Sequence, residues 1–248
     1  MIRTFIIHVS KGYEDRRQHI DSHLPERGIT DYEYMLRGDI DDLSEDVRNE
    51  FFTDTLRLAE MSCFYKHYLV MKRAVKERIP QVLVFEDDVL LIDSFTDRLE
   101  KSLEELGGKQ CYLVNIEDAA TSVPYSCRKP NQTLYLCATN KLCGGYVYDL
   151  AFAEKMVSFI ESKSVEAPID GFIGNENENL GYSIYWCQPP LVAQGSKSGL
   201  FSSELNGAKS GRYATIRSAI KDWYRRDVRS HISKKQKQLF DISEEENE

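Results

Sequence analysis

The chain has 248 residues, with 40 acidic against 32 basic side chains and a formal net charge of −8. That length buries a full apolar core without metals or disulfides, and 42% hydrophobic with 29% charged residues is a folded, not a disordered, composition. A net-acidic chain offers no bulk positive field to phosphates, which argues against nucleic acid as a partner.

In chain order, Thr4-Phe5-Ile6-Ile7-His8-Val9 predicts a strand buried on both faces. Glu14 to Leu24 predicts a helix with Ile20 and Leu24 on one side, and Tyr32 to Leu36 a second strand. This β-α-β order predicts an α/β layered fold. Residues 39 to 58 are acidic and partly helical in expectation. Ala59 to Arg78 carries an apolar stripe at helical spacing and ends before Pro80. Gln81-Val82-Leu83-Val84-Phe85 predicts a strand running into Glu86-Asp87-Asp88, then apolar Val89 to Ile92. Phe95 to Leu106 predicts a helix closed by Gly107-Gly108. Strands are expected at 111–116, 134–139, 145–150 and 183–187, with a loop over 117–133 and helices over 152–162 and 171–179.

Past residue 205 the composition changes. Between Gly207 and Gln238 ten Lys/Arg stand against two Asp, and the last ten residues hold five acidic side chains. The expected organisation is a domain over 1–205 and a basic amphipathic helical tail with an acidic end over 206–248. Tyr213, Ile216, Ile220, Trp223, Tyr224, Val228 and Ile232 follow helical spacing. Such a helix suits an anionic membrane surface; a helix packed on the domain is the plainer expectation.

The six cysteines form no CxxC pair, and no tight Cys/His spacing of a zinc site stands out. Met1-Ile2-Arg3-Thr4 opens no apolar signal region. The cysteines are therefore expected as reduced thiols of a cytoplasmic protein, with Cys63, Cys111 and Cys143 as buried fillers. No apolar run approaches the roughly 18 residues of a membrane span.

Glu86-Asp87-Asp88 is the most informative segment. It follows an apolar strand directly, at the carboxyl edge where open α/β sheets bind ligands. In extended chain Glu86 and Asp88 point one way and Asp87 the other. Two carboxylates on one side suit Mg²⁺ or Mn²⁺ bridging to a diphosphate. A solvated acidic turn is the plainer alternative.

Several segments together resemble glycosyltransferase family 25, the bacterial lipooligosaccharide galactosyltransferase family related to collagen galactosyltransferases. They are Phe5 to Val9 with Asp15-Arg16-Arg17, Glu60 to Cys63 with Lys66-His67, and Val82 to Val89. Further on come Cys143 to Tyr148, Pro168-Ile169-Asp170, and Pro189 to Gln194 with Ser196 and Ser198. The chain departs from that family's pattern at Lys66, where Ser is usual, and at His8, where Asn is usual. The resemblance covers roughly residues 2 to 200. It implies a GT-A glycosyltransferase fold: a mixed, mainly parallel, Rossmann-like sheet flanked by helices. It implies inverting transfer of galactose from UDP-galactose to a glycan or glycolipid acceptor, with Glu86-Asp87-Asp88 in the part of the DxD motif. Glu86 and Asp88 would hold the metal and Asp87 would face the ribose or sugar.

An inverting displacement needs a base for the acceptor hydroxyl. Asp170, in the family's acidic position, is the candidate, with helix capping as its bland role. Glu117 and Asp118 are in reserve. His67 is either a hydrogen-bonded core residue or a donor ligand. Arg16 is expected at a phosphate or the uracil side. His8, Gly144 and Gly145 are assigned to donor binding, and Gln194 and Ser196 to the diphosphate. Two other readings remain: a metal-dependent nucleotidyltransferase, and a catalytically degenerate domain kept for glycan binding or scaffolding.

Overall fold

The structure is a computed structural model that describes residues 2–198, 201, 221 and 223–242. Nine strands are described: β1 (Arg3–Ile7), β2 (Glu33–Met35), β3 (Gln81–Glu86), β4 (Val89–Leu91), β5 (Tyr112–Asn115), β6 (Leu134–Leu136), β7 (Gly145–Asp149), β8 (Ser183–Cys187) and β9 (Val192–Gln194). The main helices are α1 (Glu14–Glu26), α2 (Glu45–Phe51), α3 (Leu58–Glu77), α4 (Phe95–Glu104), α5 (Leu150–Ile160) and α6 (Ile169–Leu180), with a short α7 (Gly195–Ser198).

Seven strands form one sheet in the order β2-β1-β3-β7-β5-β8-β6. β1 runs parallel to β2 and β3, and β5 parallel to β8; β7 and β6 run against their neighbours. The sheet is the expected mixed, mainly parallel one flanked by helices. Alternation along each strand feeds two core layers. Phe5, Val82, Val84, Tyr146 and Tyr148 face α3, α5 and α6. Ile6, Leu83, Phe85 and Val147 face the α1 and α4 side. Burial on both faces is why these strands lack polar alternation. A fully buried Phe such as Phe64, set edge-on against Phe52 and Phe172, contributes about 1.5–3 kcal/mol by transfer alone.

α3 starts where the Glu60 carboxylate accepts the Arg57 N–H at 2.9 Å. It stops two residues before Pro80, at Arg78 in the left-handed region (φ 55°). β4 and β9 form a separate antiparallel pair, Val89 opposite Gln194 and Leu91 opposite Val192. This pairing folds residues 194–196 back over the end of β3.

The expected domain boundary at 205/206, and the tail positions Tyr213, Ile216 and Ile220, lie outside the described residues. Of the stripe, Tyr224–Arg229 forms a π-helical turn that continues through Ser230–Ile232, and a new helix starts at Lys234. This segment packs on the domain. Arg226 pairs with Asp118 at 3.0 Å, the Ala138 N–H donates to the Leu239 carbonyl, and Phe240 meets Trp186 edge-on. Trp223 and Ile232 are exposed. No helix among the described residues is long and apolar enough to cross a membrane.

Candidate functional site

Parallel strands deliver their following residues to one edge. His8 follows β1, Glu86 closes β3, and Glu117 lies two residues past β5. β7 enters from the opposite direction, so Gly144 and Gly145 reach the same edge. The site therefore occupies the carboxyl edge of the sheet, and β9 supplies its far wall.

The three adjacent carboxylates have different surroundings. β3 ends at Glu86 and residues 87–88 form a turn, so the expected side-to-side alternation does not extend past Glu86. Asp87 is 4% exposed and turned inward: Arg16 Nη1 donates to Oδ1 at 2.7 Å, and His8 Nδ1 lies 2.7 Å from Oδ2. Asp87, expected to face the ribose or sugar, forms a buried lock tying β1 and α1 to β3. Arg16 and His8, expected at the donor, are the two partners in that lock. Burial works against the Arg16 charge, yet the Asp87 carboxylate outweighs it and holds the guanidinium above its ordinary pKa.

Asp88 is 2% exposed. Its Oδ2 accepts the Ser196 N–H at 3.0 Å and its carbonyl accepts the Gly195 N–H, while Oδ1 is buried without a hydrogen-bond partner among the described residues. Glu86 is more open. Its Oε2 accepts from Gln194 Nε2 at 3.1 Å, and Oε1 lies 4.0 Å from His67 Nε2. Gln194 and Ser196 therefore meet the acidic segment itself.

Glu117 is fully buried and its Oε2 accepts the Gly144 N–H at 2.6 Å. Gly144 is required here by close approach. A Cβ at this position would lie 2.6 Å from Gln194 Nε2 and 2.9 Å from Glu117 Oε2. Gly145 backs onto Val192. Asp170 sits in the first turn of α6, one residue inside the helix and not at its cap, which is Pro168. It is half-buried, and Oδ1 accepts the Gly171 N–H. Asp170 belongs to the same cluster electrostatically. Burial pushes the Cys143 thiol well up, and the charges of Asp170, Glu86 and Glu117 push it further.

The departures at Lys66 and His8 have physical roles. Lys66 is 1% exposed and donates to the carbonyls of Met35, Leu36 and Arg37 while pairing with Asp39 at 2.8 Å. His67 is fully buried, its Nδ1 lies 2.7 Å from the Tyr146 hydroxyl, and burial pushes its pKa down to about 3. It is a neutral imidazole.

The sequence reading missed Tyr146, Cys63 and Lys141 as members of this region. Cys63 Sγ, a His67 ring nitrogen and a Glu86 oxygen lie within 4.8 Å of one another. Lys141 sits over the Trp186 ring at 4.8 Å; burial pushes its pKa down and Glu117 opposes that. The i, i+4 spacing of Cys63 and His67 was the available signal. Lys141, in a loop, has none.

The model of glycosyltransferase family 25 (LPS biosynthesis protein) matches residues 1–173. The human "Inactive glycosyltransferase 25 family member 3" is 35% identical over 165 residues, covering 61% of this chain and 26% of that protein. The Bos taurus "Probable inactive glycosyltransferase 25 family member 3" is 37% identical over 65 residues, covering 26% and 11%. The chain thus spans about a quarter or less of the length of these relatives. Among solved structures, a galactosyltransferase in complex with donor and acceptor sugar analogs has a TM-score of 0.41 at 11% identity, covering 98% of each chain. A putative glucose-1-phosphate thymidylyltransferase from Bacillus anthracis has a TM-score of 0.42 at 14% identity, covering 88% and 95%. Likenesses at that level carry no functional weight.

Proposed function

Because this chain belongs to glycosyltransferase family 25, we propose that it is an inverting hexosyltransferase, moving galactose from UDP-galactose onto a surface glycan such as lipooligosaccharide. The observation that carries the site assignment is the Asp88 carboxylate. It is almost fully buried at the carboxyl edge, yet Oδ1 has no hydrogen-bond partner among the described residues. An unmet buried carboxylate oxygen beside the open Glu86 is the donor set a hard divalent cation takes, so Mn²⁺ or Mg²⁺ fits at Glu86 and Asp88. Such a cation would offset charge on the leaving diphosphate.

The protein's own groups supply the rest. The acceptor oxygen attacks the anomeric carbon as the bond to UDP breaks, and the hydroxyl proton passes to a carboxylate. Asp170 suits that role better than Glu117, since Glu117 is fully buried and committed to the Gly144 N–H, while Asp170 is half-buried. The Asp87–Arg16–His8 lock positions Asp88 by fixing the turn that carries it. The exposed Trp223 and Ile232 in the basic tail support peripheral contact with an anionic membrane on the cytoplasmic face. Liposome binding by the full chain tests this, against a variant ending at residue 206.

The test of the transfer reading is UDP release from a panel of UDP-sugars with Mn²⁺, Mg²⁺ or chelator, with and without glycan acceptors. Metal-dependent release from UDP-galactose is expected. No release from any donor overturns the reading and favours the second one, a degenerate glycan-binding or scaffolding domain. The names of the relatives, which mark them inactive, are the observation behind that second reading.

A further inference from the structure

Three side chains meet under the carboxyl edge in a way hexose transfer does not require. Cys63 and His67 stand one turn apart on α3, so both project from one face. Glu86 ends β3 against that face. One ligand atom from each lies within 4.8 Å of the other two, and His67 Nε2 is 4.0 Å from Glu86 Oε1. Ligand atoms about 2.0–2.3 Å from a tetrahedral zinc stand roughly 3.3–3.7 Å apart, so closure draws the three ligand atoms together by up to roughly 1 Å, within reach of side-chain rotation.

A second observation points to a ligand. His67 is 0% exposed and its Nε2 is a buried nitrogen without a hydrogen-bond partner among the described residues. Leaving such a group unmet costs about 1–3 kcal/mol. The other ring nitrogen is held by the Tyr146 hydroxyl at 2.7 Å, and Glu86 Oε2 by Gln194. These are the outer contacts that orient metal ligands. With Nδ1–H donating to Tyr146, the Nε2 lone pair is left for a metal.

We propose that Cys63, His67 and Glu86 form a transition-metal site that prefers Zn²⁺ and keeps its fourth position open. A thiolate, an imidazole and a carboxylate are a zinc set, whereas Mg²⁺ and Mn²⁺ favour all-oxygen sets. Asp88 is outside this group of three. The site does not rest on the transferase reading, although it shares Glu86 with the cation proposed there. Zinc bound here would take Glu86 from that cation.

The test is metal binding by the full chain after chelation, read by calorimetry with Zn²⁺ and by absorbance with Co²⁺. One Zn²⁺ per chain is expected, with a thiolate-to-cobalt charge-transfer band. Cys63→Ser removes the band and weakens Zn²⁺ binding by about 100-fold or more, and Tyr146→Phe weakens it by about 10-fold. Equal Zn²⁺ affinity in the wild type and Cys63→Ser, or wild-type protein without the cobalt band, overturns the site. Circular dichroism and thermal unfolding of Cys63→Ser show whether it is folded. Should it unfold, the band in the wild type decides.

Discussion

Asp87 and Asp88 are neighbours in sequence with the same side chain, and their surroundings are opposite. Asp87 has a cation on one oxygen and an imidazole on the other. Asp88 takes one backbone N–H and leaves Oδ1 unmet. Burial alone does not distinguish them, since both are under 5% exposed. Partnering does. A carboxylate closed by an Arg and an imidazole is part of the frame; one with an unmet oxygen at a sheet edge is poised for a ligand.

The largest effect expected is on the open side. Asp88→Asn should lower UDP-sugar turnover by about 10³-fold, the several kcal/mol a bound cation supplies, with thermal unfolding little changed. Asp170→Asn should cost about 10²–10⁴-fold in turnover with donor binding retained; near-normal turnover would remove it as the base. On the closed side, Asp87→Asn should cost about 2–4 kcal/mol in urea unfolding, because the half-buried Arg16 loses its nearest counter-charge. An Asp87→Asn protein as stable as wild type would erase the distinction. Gly144→Ala, between the two sides, should cost about 1–3 kcal/mol by overpacking against Gln194 and Glu117.

The smallest effect is a pH dependence at a second closed carboxylate. Burial raises the Asp39 pKa, but Lys66 and Ser10 overcome it and hold the carboxyl below its ordinary 3.8. A depressed native pKa means the stabilisation is full above the unfolded value and fades as pH falls through the native one. Acid titration of unfolding should therefore show a drop below about pH 4 that is shallower in Asp39→Asn. An unchanged slope would show that this pair does not behave as the Asp87 lock does.

Much of the frame was legible. β1, β3, β5, β7 and β8 are continuous apolar runs because helices cover both faces of the sheet, and α3 announces itself by its stripe. β4 and β9 were not legible as a pair: each is three residues long and they meet across a hundred positions. At the site, the position of Glu86-Asp87-Asp88 followed from its strand. The division of labour among the three did not, since it depends on His8, Arg16 and Ser196 arriving from remote segments. The alternation rule failed because β3 stops at Glu86. Cys63 and His67 escaped for another reason. Zinc spacing is usually sought in loops, and here it is written at helical period.

Lys66 reaches the carbonyls of residues 35–37 from within α3. These carbonyls end an edge strand of only three residues, which alone would fray. The amine therefore acts as a rivet for the margin of the sheet, and its shelter has a chemical signature. Amine-specific acylating reagents should label the exposed lysines of the folded chain quickly and Lys66 only at the rate at which that margin opens.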